Sequence, residues 1–144
     1  MRAKKAVRRM IELTTSADQK NIPAVIEFVN RELDALDCSM KTEARIDIAI
    51  DEIYSNIVKY GYEEEGGEVT VSFDVLEDPL VMTLSFLDQG KPFNPLESKD
   101  PDTTLSAKER KIGGLGIFMV KKTMDDIRYE YRDGKNILTI RKTL

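Results

Sequence analysis

Asp88-Gln89-Gly90-Lys91-Pro92-Phe93-Asn94-Pro95, followed further along by Gly113-Gly114-Leu115-Gly116, is the stretch from which the rest of the chain can be read. An acidic residue closes an alternating apolar run and stands two residues before a glycine. A glycine cluster then opens a helical pattern. The arrangement suits a nucleotide. The carboxylate can accept a hydrogen bond from a base amino group, and Gly90 removes a side chain from beneath the base. The second cluster offers bare backbone N–H groups to phosphates. Either half alone is ordinary, since Asp-X-Gly is a common turn and glycines often begin helices.

A third element lies upstream. Ile46, Ala49, Ile50, Ile53 and Ile57 recur at three- and four-residue spacing and predict an amphipathic helix over about residues 42–60. Thr42 is the expected N-cap, with Arg45 where a capping-box carboxylate would stand. Glu52 and Asn56 are one turn apart and share a face beside Ile53 and Ile57. Asparagine is a poor mid-helix residue, and its carbonyl oxygen at the rim of the stripe could join an oxygen shell around Mg²⁺. The Glu52 carboxylate could orient a water or take a proton from an attacking hydroxyl. On the helix alone, a solvated glutamate and an incidental asparagine are the simpler account.

Taken in order, the helix with Glu52-X-X-X-Asn56, the strand ending in Asp88-X-Gly90, and Gly114-X-Gly116 at a helix start resemble the N, G1 and G2 boxes of the GHKL ATPases. Within that superfamily the chain resembles the small bacterial anti-sigma factor serine/threonine-protein kinases. This narrower match rests on 51–62 (DEIYSNIVKYGY), on Pro92-Phe93-Asn94-Pro95 and on 113–120 (GGLGIFMV), and the resemblance runs from about Ile11 to Leu144. It implies ATP and Mg²⁺ as cofactors, with Asn56 on the metal and Glu52 as general base on a substrate serine or as the residue that positions a water. Asp88 would recognise the adenine amino group and Gly90 would admit the base. Gly114, Leu115 and Gly116 would hold phosphates, aided by Lys111, and Thr139 would join a water network at the adenine. Residues 96–112 would be a short ATP lid, with Lys108, Arg110 and Lys111 able to reach the phosphates. The implied function is an anti-sigma factor that phosphorylates a serine on a STAS-domain anti-anti-sigma protein and sequesters a sigma factor. A homodimer through the sheet is a further implication. Two positions depart from the family pattern: Tyr60 replaces a common histidine, and Ile112 stands where some members carry arginine. A nucleotide-gated binding module with little or no kinase activity is therefore the alternative, favoured by Ile112, whereas Glu52 favours the enzyme.

Composition narrows the classes. A chain of 144 residues, 41% of them hydrophobic, builds one core and is expected to be a single domain. The net charge of −4, from 22 basic and 26 acidic residues intermixed, does not call for nucleic acid. No run approaches the ~20 apolar residues of a membrane helix, and the apolar run after the basic start is too brief for a signal peptide. The single cysteine, Cys38, fits a reducing cytoplasm. No histidine is present, which excludes a phosphoacceptor histidine, histidine acid–base chemistry and histidine-ligated metals.

The remaining pattern reads as α+β. Residues 6–14 predict a strand, and Ser16 or Asp18 is expected to cap a helix through about Leu36, with Pro23 in its first turn. Alternating runs at 69–75 and 81–87 flank Asp78-Pro79, and 127–132 and 137–142 flank Asp133-Gly134, giving two hairpins; residues 63–67 are a turn. A helix from Gly114 to about Asp125 completes the set. The expected architecture is a two-layer α/β sandwich, with a mixed, mostly antiparallel sheet carrying helices on one face, the GHKL ATPase fold.

Overall fold

The computed structural model describes residues 9–62, 66–97 and 114–144. The expected lid from residue 98 onward, with Lys108, Arg110, Lys111 and Ile112, and residues 63–65 of the expected turn lie outside the described residues.

Among the described residues, five strands and three helices make two layers. In chain order they are β1 (Arg9–Ser16), α1 (Ile22–Ala35), α2 (Met40–Asn56), β2 (Glu68–Leu76), β3 (Val81–Asp88), α3 (Gly114–Thr123), β4 (Asp126–Arg132) and β5 (Lys135–Thr143). The sheet order is β1-β2-β3-β5-β4, and all four pairings are antiparallel. The expectation of a partly parallel sheet is corrected here. α3 begins at the end of the molecule where β3 stops and returns the chain, so β4 runs in the same sense as β3. β5 then inserts between the two and is antiparallel to both.

Alternation decides which side chains face the helices. Val69, Val71, Phe73 and Val75 of β2, Met82, Leu84 and Phe86 of β3, and Leu138 and Ile140 of β5 are buried against Val25, Val29 and Leu33 of α1 and the Ile46–Ile57 stripe. Each such side chain contributes about 1.5–3 kcal/mol relative to exposure. The opposite face carries hydroxyls, with Thr14 bonded to Thr70 at 2.9 Å and Ser85 to Thr139 at 3.1 Å. Towards one end of the sheet the inward rows turn polar. They finish in Asp88 and Asn136, which stand directly opposite each other across the β3–β5 ladder.

Helix boundaries follow local chemistry. Ser39, extended at φ −65° and ψ 149°, caps α2 by accepting the Thr42 N–H at 3.2 Å. Thr42 is thus the third helical residue rather than the cap, and the helix starts earlier than its apolar stripe suggests. Regular α-geometry ends at Asn56, and Ile57–Gly61 widens into a π-helical turn. Asp18 caps a short 3₁₀ turn, Gln19–Asn21, through the Lys20 N–H at 2.9 Å, while Pro23 sits in the first turn of α1 as expected. Tyr54, fully buried in α2, donates its hydroxyl to the Ser16 carbonyl at 2.7 Å and ties that helix to the end of β1.

Candidate functional site

At the polar end of the sheet, Ile53, Asn56, Ile57, Gly61, Asp88, Phe93, Pro95, Tyr129, Asn136 and Leu138 line a pocket. Its walls are apolar and its few polar groups converge, the usual make-up of a small-molecule site. Asn56 comes from the last turn of α2 and Asp88 from the last residue of β3. Tyr129 of β4, Asn136 and Leu138 of β5, and Phe93 and Pro95 of the loop after β3 complete the cavity from sequence-distant elements.

Asp88 is 5% exposed, and its Oδ1 accepts the Gly90 N–H at 2.9 Å and the Asn136 Nδ2–H at 3.0 Å. Burial raises its pKa above the ordinary aspartate value, and the hydrogen bonds from Asn136 and Gly90 oppose that rise. Gly90 is needed for space: a Cβ there would overlap the backbone carbonyl of Gly61. The approach is sealed by the Lys91 N–H bonding to the Gly61 carbonyl at 3.0 Å. Tyr62 braces the same corner, donating its hydroxyl to the Glu68 carbonyl at 2.6 Å and accepting the Gln89 N–H at 2.7 Å. Tyr60 packs its ring on Phe93, with centroids 5.1 Å apart, so at this departure from the family pattern an aromatic contact stands at the pocket rim.

Glu52 lies outside this pocket but one turn from Asn56, against α3. A Cβ on Gly116 would overlap the Glu52 carboxylate, so the bare glycine lets the acid lie on the first turn of α3. Burial raises the Glu52 pKa, the neighbouring Asp51 charge adds to the rise, and Lys59 opposes it. A carboxylate raised in this way is a better proton acceptor near neutrality.

The sequence reading is met unevenly. Asn56 and Asp88 line the pocket, Gly90 packs behind it on the Gly61 backbone, and Glu52 meets Gly116 beside it. Gly114 and Leu115 open α3 as expected, while Lys111 lies outside the described residues. Thr139 is not brought to the site. It faces the hydroxyl-bearing side of the sheet with Thr83, Ile137 and Arg141, and its partner is Ser85. The strand residue that does reach Asp88 is Asn136, which sequence reasoning passed over. The signal was present, because Asn136 shares the inward parity of Leu138 and Ile140, and a polar residue on a core row has a partner to meet. Tyr129, which lines the same pocket and donates to Asn136 Oδ1, was likewise missed.

Comparison with known proteins agrees with this fold. Residues 15–142 match the model of the histidine kinase-like ATPase domain. The serine-protein kinase RsbW of Listeria monocytogenes is 35% identical over 97 residues, covering 63% of this chain and 60% of the relative. That of Bacillus cereus is 33% identical over 93 residues, covering 63% and 58%. The chain thus spans about 60% of the length of the curated relatives it matches. Among solved structures, that of the RsbU and RsbW domains of a Mycobacterium tuberculosis protein superposes with a TM-score of 0.67 at 18% identity, covering 94% of this chain and 32% of that one, and so shares the fold. With a family match across nearly its whole length and the pocket at the end of its antiparallel sheet, the chain belongs to the histidine kinase-like ATPase domain family.

Proposed function

We propose that this protein is an anti-sigma factor serine kinase that binds Mg-ATP, phosphorylates a serine of a STAS-domain anti-anti-sigma protein and sequesters a sigma factor. The observation that carries the reading is the neighbourhood of two acids with different surroundings. Asp88 is held at the closed end of an apolar pocket by N–H donors, while Glu52 lies one helical turn from Asn56 against the start of α3. The first suits recognition of a base amino group, the second the removal of a proton from a hydroxyl. The similarity to proteins named serine-protein kinase RsbW supports serine as the acceptor.

The residues present fit the nucleotide and its metal. The pocket has the apolar walls and the buried carboxylate that an adenine needs, and the absence of a side chain at Gly90 lets the loop after β3 close on Gly61, one of its walls. Asn56 offers a carboxamide at the pocket edge nearest Glu52. Among the described residues no three carboxylates or cysteines gather into a metal site of their own, so Asn56 would share Mg²⁺ with phosphate oxygens, as suits an ion that keeps few protein ligands. Bound Mg²⁺ would supply charge neutralisation on the phosphates. The chain's own tasks are to seat the base at Asp88 and to hold Glu52 where a serine hydroxyl can lose its proton. A homodimer formed through the sheet and a cytoplasmic location complete the proposal.

The test is Glu52→Ala, assayed for ATP binding and for phosphate transfer from labelled ATP to a STAS protein. Binding is expected to stay near that of the unaltered protein while transfer falls by about a hundredfold or more. Unchanged transfer would remove Glu52 from its role. Binding without transfer in the unaltered protein would leave the nucleotide-gated module.

A further inference from the structure

Asn136 is the most heavily bonded side chain in the pocket, and it is 4% exposed. Its Oδ1 accepts the Phe93 N–H at 3.1 Å and the Tyr129 hydroxyl. Its Nδ2 donates to the Lys91 carbonyl at 2.9 Å, the Gly90 carbonyl at 3.3 Å and Asp88 Oδ1 at 3.0 Å. Three of these partners are backbone groups whose polarity is fixed. A peptide N–H can only donate and a peptide C=O can only accept, so the carboxamide has one permitted orientation. Turning it over would set its NH₂ against the Phe93 N–H and its oxygen against two carbonyls. The N–H directed at Asp88 is therefore imposed by the loop backbone, and the Gly90 N–H donates to the same oxygen. Oδ1 of Asp88 is bound as an acceptor by two donors.

We propose that Asn136 is a positioning residue that fixes the polarity of Asp88, so that the pocket selects a base presenting an amino group over one presenting a carbonyl. Burial favours the neutral acid, and the two N–H groups on Oδ1 favour the charged form against it; the second oxygen then meets the ligand as an acceptor. An adenine amino group satisfies that oxygen; a 6-oxo group would set two acceptors face to face. Asn136 never touches the base in this account. It acts through Asp88, and Tyr129 and Phe93 act on it.

The inference rests on the nucleotide reading, and the experiment separates the two. ADP and IDP differ in the 6-amino and 6-oxo groups, and their affinities are compared by competition against a fluorescent nucleotide. The unaltered protein is expected to favour ADP roughly tenfold or more, as suits a hydrogen bond to a charged group. Asp88→Asn retains the shape and the two pinning donors. Because Asn136 and Gly90 demand an acceptor, the new carboxamide must place its oxygen towards them and its NH₂ towards the ligand. The preference is expected to reverse in favour of IDP. Asn136→Ala releases the lock and is expected to narrow the ADP preference of the unaltered Asp88 by roughly tenfold. A residue that merely supported the fold would lower both affinities together and leave their ratio alone. Continued preference for ADP in Asp88→Asn would show that its amide turns freely and would overturn the inference, as would loss of both nucleotides by that variant. If the unaltered protein bound neither ADP nor ATP, the nucleotide reading itself would fall and this inference with it.

Discussion

Two glycines of the site are bare for different reasons, and the difference is measurable. At Gly116 the obstacle to a Cβ is the end of the flexible Glu52 side chain. Gly116→Ala should therefore leave the fold nearly as stable, within about 1 kcal/mol in chemical denaturation, because the carboxylate can swing aside. The displaced acid then no longer stands where the proposed proton transfer needs it, and phosphate transfer to a STAS protein is expected to fall about a hundredfold or more. At Gly90 the obstacle is the Gly61 backbone, which has no rotamer to change. Gly90→Ala should lose nucleotide binding and also about 1–3 kcal/mol of stability, read from the same denaturation curves. A glycine pattern announces both positions as special, yet it cannot tell a phosphate approach from a side-chain contact or a backbone crossing. Thr139 makes the converse point. The alternation of Leu138 and Ile140 already places it on the opposite face, so a motif assignment yielded to a rule with period two.

The helices were legible as faces and less so as segments. The Ile46–Ile57 stripe predicted which side of α2 is buried, whereas its start depended on one hydroxyl outside the stripe. Ser39→Ala should cost about 0.5–2 kcal/mol by releasing the Thr42 N–H, seen as a lower melting temperature. The π-helical turn at Ile57–Gly61 had no sequence signal, because it serves a distant partner: it delivers the Gly61 carbonyl to the Lys91 N–H. The α1–α2 seam holds a polar flaw. Asn30 Nδ2 reaches Asp47 Oδ2 at only 3.5 Å, and Asp47 Oδ1 and Asn30 Oδ1 are buried without a hydrogen-bond partner among the described residues. Burial raises the Asp47 pKa, the Asn30 contact opposes the rise and Asp34 adds to it. The folded state thus holds this proton more tightly than the unfolded one. The group's favourable contribution is present below the ordinary aspartate range and is lost as pH rises through the raised value. Asp47→Asn is expected to raise the melting temperature at neutral pH, with the gain disappearing on acidification. A gain unchanged by pH would remove charge burial as its cause.

For the whole molecule, ligand binding and folding are linked. The pocket draws on α2, β3, β4, β5 and the loop after β3, so a nucleotide bound there would stabilise all of them against unfolding. At a hundred times its dissociation constant, ATP with Mg²⁺ should add about 2.7 kcal/mol, which thermal melts would register as a rise of several degrees. The rise should be absent in Gly90→Ala, where the Gly61 wall of the pocket is displaced. What the sequence by itself determined were the periodic features: the apolar rows of the strands, the buried face of α2, the two hairpin turns and the order of the three boxes. Those depend on neighbours within a turn or a strand, where spacing alone dictates which side chains share a face. Tertiary structure alone decided the antiparallel insertion of β5 between β3 and β4 and the meeting of Gly61 with Gly90. It also decided the seating of Glu52 on Gly116 and the capture of Asp88 by Asn136. Each of these is a contact between segments far apart in the chain. Local propensity carries no record of such contacts, because the energy that selects them appears only when the two layers close over one core.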